Sequence, residues 1–120
     1  MEKNILIIER NIEAVFFYKQ LLQVHGYAID HVSSDSQLLK YDFSIPDLFI
    51  INSRFLTLNE WEICQHLKGS PLTKNIPVII ISGTPDIADV ARRCAAVFME
   101  KPFISADLLA TIKRCLDNVQ

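Results

Sequence analysis

The chain has 120 residues, and half of them are apolar, so one domain can bury a stable core without disulfides or structural metals. Its formal net charge of -2 disfavours direct binding to nucleic acid or to an anionic membrane. No secretory leader and no apolar run of roughly 20 residues, the length of a membrane span, stands out. We therefore expect one folded unit over residues 1–120, located in the cytoplasm.

Uninterrupted aliphatic runs predict strands that are buried on both faces, as in a parallel sheet covered by helices. Three such runs are clear, and two weaker candidates accompany them. In chain order, the five predicted strands cover residues 4–8, 27–32, 48–51, 78–81 and 97–99.

Helix-start signals separate the predicted strands. N-cap residues or a first-turn proline precede each intervening segment, at Asn11, Ser34, Asn59, Pro85 and Ser105. Such β–α alternation predicts a doubly wound α/β domain with its functional site at the carboxyl ends of the strands.

The first and last predicted helices have apolar stripes. In the last helix the stripe is formed by Leu108, Ile112, Cys115 and Leu116. In the first helix we expect a core stripe of Ala14, Phe17, Leu21 and Val24. A second apolar set on that helix is either buried, which we favour, or in contact with a partner: Ile12, Val15, Phe16 and Leu22.

The three cysteines are Cys64, Cys94 and Cys115. They are odd in number, and none lies in a C-x-x-C pair. We therefore expect buried free thiols rather than a disulfide or a metal site.

Four segments at the predicted strand ends resemble response-regulator receiver domains from end to end. They are ILIIERN at residues 5–11, PDLFIIN at 46–52, NIPVIIISG at 75–83 and FMEKPF at 98–103. The resemblance implies a flavodoxin-like (βα)5 fold with strand order 2-1-3-4-5, a cis bond at Lys101-Pro102, and a bacterial two-component signalling role.

The resemblance also identifies a degenerate phospho-acceptor pocket of Glu9, Arg10, Asn52, Ser82 and Lys101. In the family, Arg10 would be a second acid and Asn52 the aspartate that takes the phosphoryl group. An amide cannot supply that nucleophile, and Mg²⁺ requires hard anionic oxygens. We therefore expect no catalysis, no cofactor and no resident metal, with Mg²⁺ binding weak or absent. Arg10 could instead pair with Glu9.

Two further differences concern the surfaces around this pocket. Leu56, Thr57 and Glu60 replace the proline and glycines usual in the loop over it. The segment after Asp86 is about one helical turn short, which predicts a reduced fourth helix. Phe98 matches the family's switch aromatic, and without phosphate we expect either a static packing for it or an ordinary core role.

The leading hypothesis is a phosphorylation-independent module that binds a protein partner, an attached output or kinase domain, or a second copy of itself. One alternative is a phospho-accepting receiver that uses another carboxylate, Asp47 or Asp86, both poorly placed. Another is a flavodoxin-like small-molecule binder, which would need a phosphate-binding loop that Glu9-Arg10-Asn11 does not provide. The chain could be a fragment of a larger regulator.

Overall fold

The computed structural model describes residues 2–52 and 58–118, and in these ranges strands and helices alternate. The strands are β1 (Asn4–Ile8), β2 (Ala28–Val32), β3 (Leu48–Ile51), β4 (Val78–Ser82) and β5 (Val97–Glu100). The helices are α1 (Ile12–Gln23), α2 (Asp35–Leu39), α3 (Glu60–Lys68), α4 (Ile87–Arg93) and α5 (Ser105–Asp117). Within the described ranges, no helix is long and apolar enough to cross a lipid bilayer.

The strands form one parallel sheet in the order β2-β1-β3-β4-β5, which confirms the predicted fold class. Every residue of β3 and β4 is buried, as their aliphatic runs predict. Alternate residues of these strands enter two separate cores. One lies under α2, α3 and α4, and the other lies under α1 and α5.

The helix ends largely follow the predicted caps. The Asn11 side chain accepts the N–H groups of Glu13 and Ala14, and Asn59 forms a reciprocal capping box with Glu62. The last prediction was displaced by one residue, because Ser105 begins α5 and Ile104 occupies the N-cap position. α4 is reduced to seven residues, as expected, although it begins at Ile87 rather than at Pro85.

The predicted core stripe of α1 was wrong at Phe17 and Val24, although Leu21 is half-buried against the core under α1 and α5. The residues buried in this helix are Val15, Tyr18 and Leu22, whereas Phe17 is 51% exposed and Val24 is 80% exposed. The second apolar set divides: Val15 and Leu22 are buried, but Ile12 and Phe16 are exposed. The hydrophobic pattern of α1 was compatible with burial of either of two helical faces. The buried face is the one that carries Tyr18, whose side chain finds a polar contact at the sheet.

The prediction of three free thiols was also wrong. Cys64 in α3 and Cys94 at the C-cap of α4 are joined by a disulfide, with Cα atoms 6.4 Å apart. These cysteines are 30 residues apart in the chain, and they meet because α3 and α4 pack side by side on the same face of the sheet. Cys115 is a free, buried thiol.

Candidate functional site

Glu9 and Asn52 leave neighbouring strands at the carboxyl edge of the sheet. The backbone N–H of Glu9 donates to the Val32 carbonyl oxygen at 3.1 Å, and that of Asn52 donates to the Ile8 carbonyl oxygen at 3.1 Å. These bonds extend the sheet ladder by one residue on β1 and β3. The two side chains therefore emerge together, and both are buried.

A chain of hydrogen bonds connects these side chains to α1. The Tyr18 hydroxyl donates to Asn52 Oδ1 at 2.6 Å, and Asn52 Nδ2 donates to Glu9 Oε1 at 2.5 Å. The other carboxylate oxygen, Glu9 Oε2, accepts the backbone N–H of Asn11 at 2.7 Å. Each donor thus faces an acceptor in this buried group, as burial requires.

The direction of these bonds fixes the orientation of the Asn52 amide. An ionised carboxylate only accepts hydrogen bonds, so Nδ2 must face Glu9 and Oδ1 must face the Tyr18 hydroxyl. An aspartate at position 52 would instead place a second acceptor against Glu9. The observed network therefore suits asparagine.

Tyr18 is a site residue that sequence reasoning missed. It is 3% exposed, and its hydroxyl reaches the sheet edge from the middle of α1. A usable signal was present, because Val15, Tyr18 and Leu22 share one helical face and a buried tyrosine hydroxyl needs a hydrogen-bond partner.

Burial raises the pKa of Tyr18 well above its usual range, and the negative charge of Glu9 raises it further. A raised pKa in the folded state means that stability is retained below the unfolded pKa, about 10, and falls as the pH rises beyond it. We expect the unfolding free energy to fall above about pH 10, and to fall less steeply in Tyr18→Phe. Urea unfolding between pH 8 and pH 11 measures this, with Tyr27→Phe, at a half-buried tyrosine, as control. Equal slopes for both variants would contradict the prediction.

The structure brings four of the five predicted pocket residues to one cleft. Glu9, Arg10, Asn52 and Lys101 line it together with Asn11 and Ala14, and its volume is about 530 Å³. Arg10 and Lys101 are exposed at its rim, whereas Glu9 and Asn52 form its buried floor. The cleft thus presents two cations around a carboxylate that already accepts hydrogen bonds from Asn52 and Asn11.

Ser82, the fifth predicted residue, lies beside this cleft at the end of β4. Its carbonyl oxygen accepts the backbone N–H of Lys101 at 2.9 Å, which holds the ends of β4 and β5 together. Its hydroxyl accepts the backbone N–H of Thr84 at 3.1 Å. The peptide bond between Lys101 and Pro102 is cis, as predicted.

Phe98 is half-buried on β5 and packs against the core under α2, α3 and α4. Met99, its neighbour, faces the opposite core. Phe98 thus has the packing of a strand residue, and whether it also acts as a switch stays a prediction.

The residues of the cleft do not fit a resident Mg²⁺ ion. Magnesium requires several oxygen ligands in near-octahedral geometry, yet Asn52 presents its NH₂ group to Glu9, and Arg10 contributes a cation where an acid would be needed. Across residues 2–52 and 58–118, no group of three or more His, Cys, Asp or Glu side chains could hold a metal.

The other carboxylates considered as phosphoryl acceptors lie away from the cleft. Asp47 is at the amino edge of the sheet, where its Oδ2 accepts the backbone N–H of Asn4 at 2.8 Å. Asp86 is exposed at the start of α4. Of the loop substitutions, Glu60 is the buried first residue of α3, and Leu56 and Thr57 fall outside the described residues.

Comparisons with known proteins place this fold among receiver domains, although no protein-family model matches the chain. The signal receiver domain of a signal transduction histidine kinase from Syntrophus aciditrophicus is 28% identical, with a TM-score of 0.85, and the match covers 98% of this chain and 92% of that one. The chemotaxis response regulator CheY4 of Vibrio cholerae shares the fold at 19% identity, with a TM-score of 0.84 over 97% of this chain and all of that one.

One curated relative is the phosphate regulon transcriptional regulatory protein PhoB of Rhizobium meliloti. It is 22% identical over 120 residues, which are 97% of this chain and 53% of the relative. The chain therefore spans about half the length of that protein.

Proposed function

We propose that this chain, a domain of the response-regulator receiver type, transmits signals by binding a protein in a manner that does not depend on phosphorylation. The observation that carries the proposal is the buried Asn52 at the end of β3, whose amide is hydrogen-bonded to both Glu9 and Tyr18. In this role the domain acts in the bacterial cytoplasm, as a binding module rather than an enzyme.

The chemistry of phosphoryl transfer supports this proposal. An aspartyl phosphate forms when a carboxylate oxygen attacks phosphorus while a divalent metal neutralises charge on the phosphoryl oxygens. Asn52 has no anionic oxygen, and Arg10 removes one carboxylate that would help to hold the metal. The cleft retains positive charge on Lys101 and Arg10, but neither side chain supplies the oxygen nucleophile that phosphoryl transfer requires.

The partner is either a separate protein or a domain attached to this one. Among the similar proteins, one receiver belongs to a histidine kinase, and PhoB is about twice the length of this chain. We assign no direct nucleic-acid binding to the domain itself, since its formal net charge is -2.

Incubation with acetyl phosphate and Mg²⁺ tests the proposal. We expect the intact mass to remain unchanged, and we expect the amide chemical shifts across α4, β5 and α5 to remain unchanged as well. A receiver of ordinary type treated in parallel verifies that the donor is active. A stable phosphoryl adduct on the chain, whether on Asp47, Asp86 or another carboxylate, would refute phosphorylation independence.

A further inference from the structure

Cys64 and Cys94 form a cross-link between two helices that otherwise differ in how well they are anchored. α3 buries Ile63, Cys64 and Leu67, whereas the buried residue of α4 is Ala91. α4 has only seven residues, and its N-cap residue, Asp86, makes no side-chain capping bond. Because so short a helix is unstable by itself, α4 depends on its contacts with β4 and β5 and on the covalent link to α3 that the disulfide provides.

The two cysteines differ in how close they lie to the surface. Cys64 is fully buried, whereas Cys94 is 8% exposed and lines a surface cleft of about 360 Å³. We therefore expect an external reagent to approach the disulfide from the side of Cys94, where the cleft opens to solvent.

The cleft at Cys94 is cationic. Its lining includes Lys68 and Arg93 but neither aspartate nor glutamate, and the Arg93 guanidinium lies 4.9 Å from the centre of the Trp61 ring, which also lines the cleft. Positive charge in the cleft attracts an anionic reagent.

We propose that Cys64 and Cys94 form a reversible thiol–disulfide site that exchanges with an anionic, low-molecular-weight disulfide of the glutathione type, and that the reaction controls the attachment of α4. This site is separate from the cleft at Asn52. It therefore gives the domain a chemical input that does not require a phosphoryl group.

The exchange balances in two steps. The Cys94 thiolate attacks one sulfur of the external disulfide, so that a mixed disulfide forms and one thiolate leaves. Cys64 then loses its proton and attacks the Cys94 sulfur, which releases the second thiolate. Cys64 and Cys94 together lose two protons and two electrons, and the external disulfide is reduced to two thiols.

Variants that lack Cys64 or Cys94, each combined with Cys115→Ser, test the order of attack, because Cys115 is a free thiol with the same 8% exposure as Cys94. In the reduced protein, Cys64→Ser is expected to accumulate a stable adduct of one glutathione on Cys94 when oxidised glutathione is added. Cys94→Ser is expected to remain unmodified at Cys64, and the wild type is expected to lose two hydrogens with no lasting adduct. Equal labelling of the two variants by intact mass, with native circular dichroism for both, would overturn the assignment.

The charge of the reagent supplies a second test. Oxidised glutathione is expected to react with reduced wild type faster than neutral hydroxyethyl disulfide does, and Lys68→Gln or Arg93→Gln should reduce that preference by about threefold each. Lys113→Gln, at an exposed position of α5, is the matched control and should leave the preference unchanged. A preference that is the same in all variants would overturn the role of the cationic cleft.

Hydrogen exchange tests the consequence for α4. Reduction of the wild type is expected to accelerate amide exchange in residues 87–93 by about tenfold or more, with little change in β3 and β4. Equal protection of α4 in the oxidised and reduced proteins would overturn the proposed control of this helix, whatever the outcome with phosphoryl donors.

Discussion

Replacing Asn52 with aspartate is expected to lower the free energy of unfolding by about 3 kcal/mol at pH 7. The substitution removes the NH₂ group that donates a hydrogen bond to Glu9 at 2.5 Å, and it places a second buried carboxylate there. Like charges this close raise the pKa of the pair in the folded state. The loss of stability should therefore be small below about pH 4 and should grow as the pH rises towards neutrality.

Thermal unfolding at pH 4 and pH 7 measures this effect, and the midpoint is expected to fall by roughly 10 °C at pH 7. Asn59→Asp is a suitable control, because it makes the same chemical change at an exposed N-cap where aspartate is equally favourable. If Asn52→Asp unfolds at the wild-type temperature at pH 7, the buried network does not have the importance that we assign to it.

Loss of the disulfide is expected to be the second large effect. Opening a loop of 30 residues restores conformational entropy to the unfolded chain, which corresponds to roughly 3.5 kcal/mol. Cys94→Ala should therefore be less stable than the oxidised wild type by about this amount in urea unfolding.

Urea unfolding of both proteins with and without a reductant provides the comparison. Dithiothreitol should destabilise the wild type to nearly the level of Cys94→Ala, and it should leave Cys94→Ala itself unchanged. A wild type whose unfolding midpoint is insensitive to the reductant, although its thiols titrate as reduced, would show that the cross-link contributes little to stability.

The strands and their order could be predicted because they depend on local and repetitive signals. Aliphatic runs such as Leu48–Ile51 have one stable position, inside a sheet covered on both faces, and the caps at Asn11 and Asn59 define helix starts. The residues at the strand ends then follow from the topology, which is why Glu9 and Asn52 could be expected to meet.

Features that depend on contacts between residues far apart in the chain could not be predicted from such local signals. The hydrogen bond between Tyr18 and Asn52 joins residues 34 apart, and its partner was needed to choose between the two apolar faces of α1. Cys64 and Cys94 are 30 residues apart with β4 between them, and the third cysteine, Cys115, made the total odd, so that a pair was not expected.

Tyr18 connects the surface of α1 to the buried hydrogen-bond network at Asn52. Its ring meets the half-exposed Phe17 ring edge-on, with centroids 5.3 Å apart, while its hydroxyl contacts Asn52. Any molecule that settles on α1 and displaces Phe17 must disturb this arrangement. We therefore expect the NMR chemical shift of the Asn52 side-chain NH₂ group to change when a molecule binds to α1.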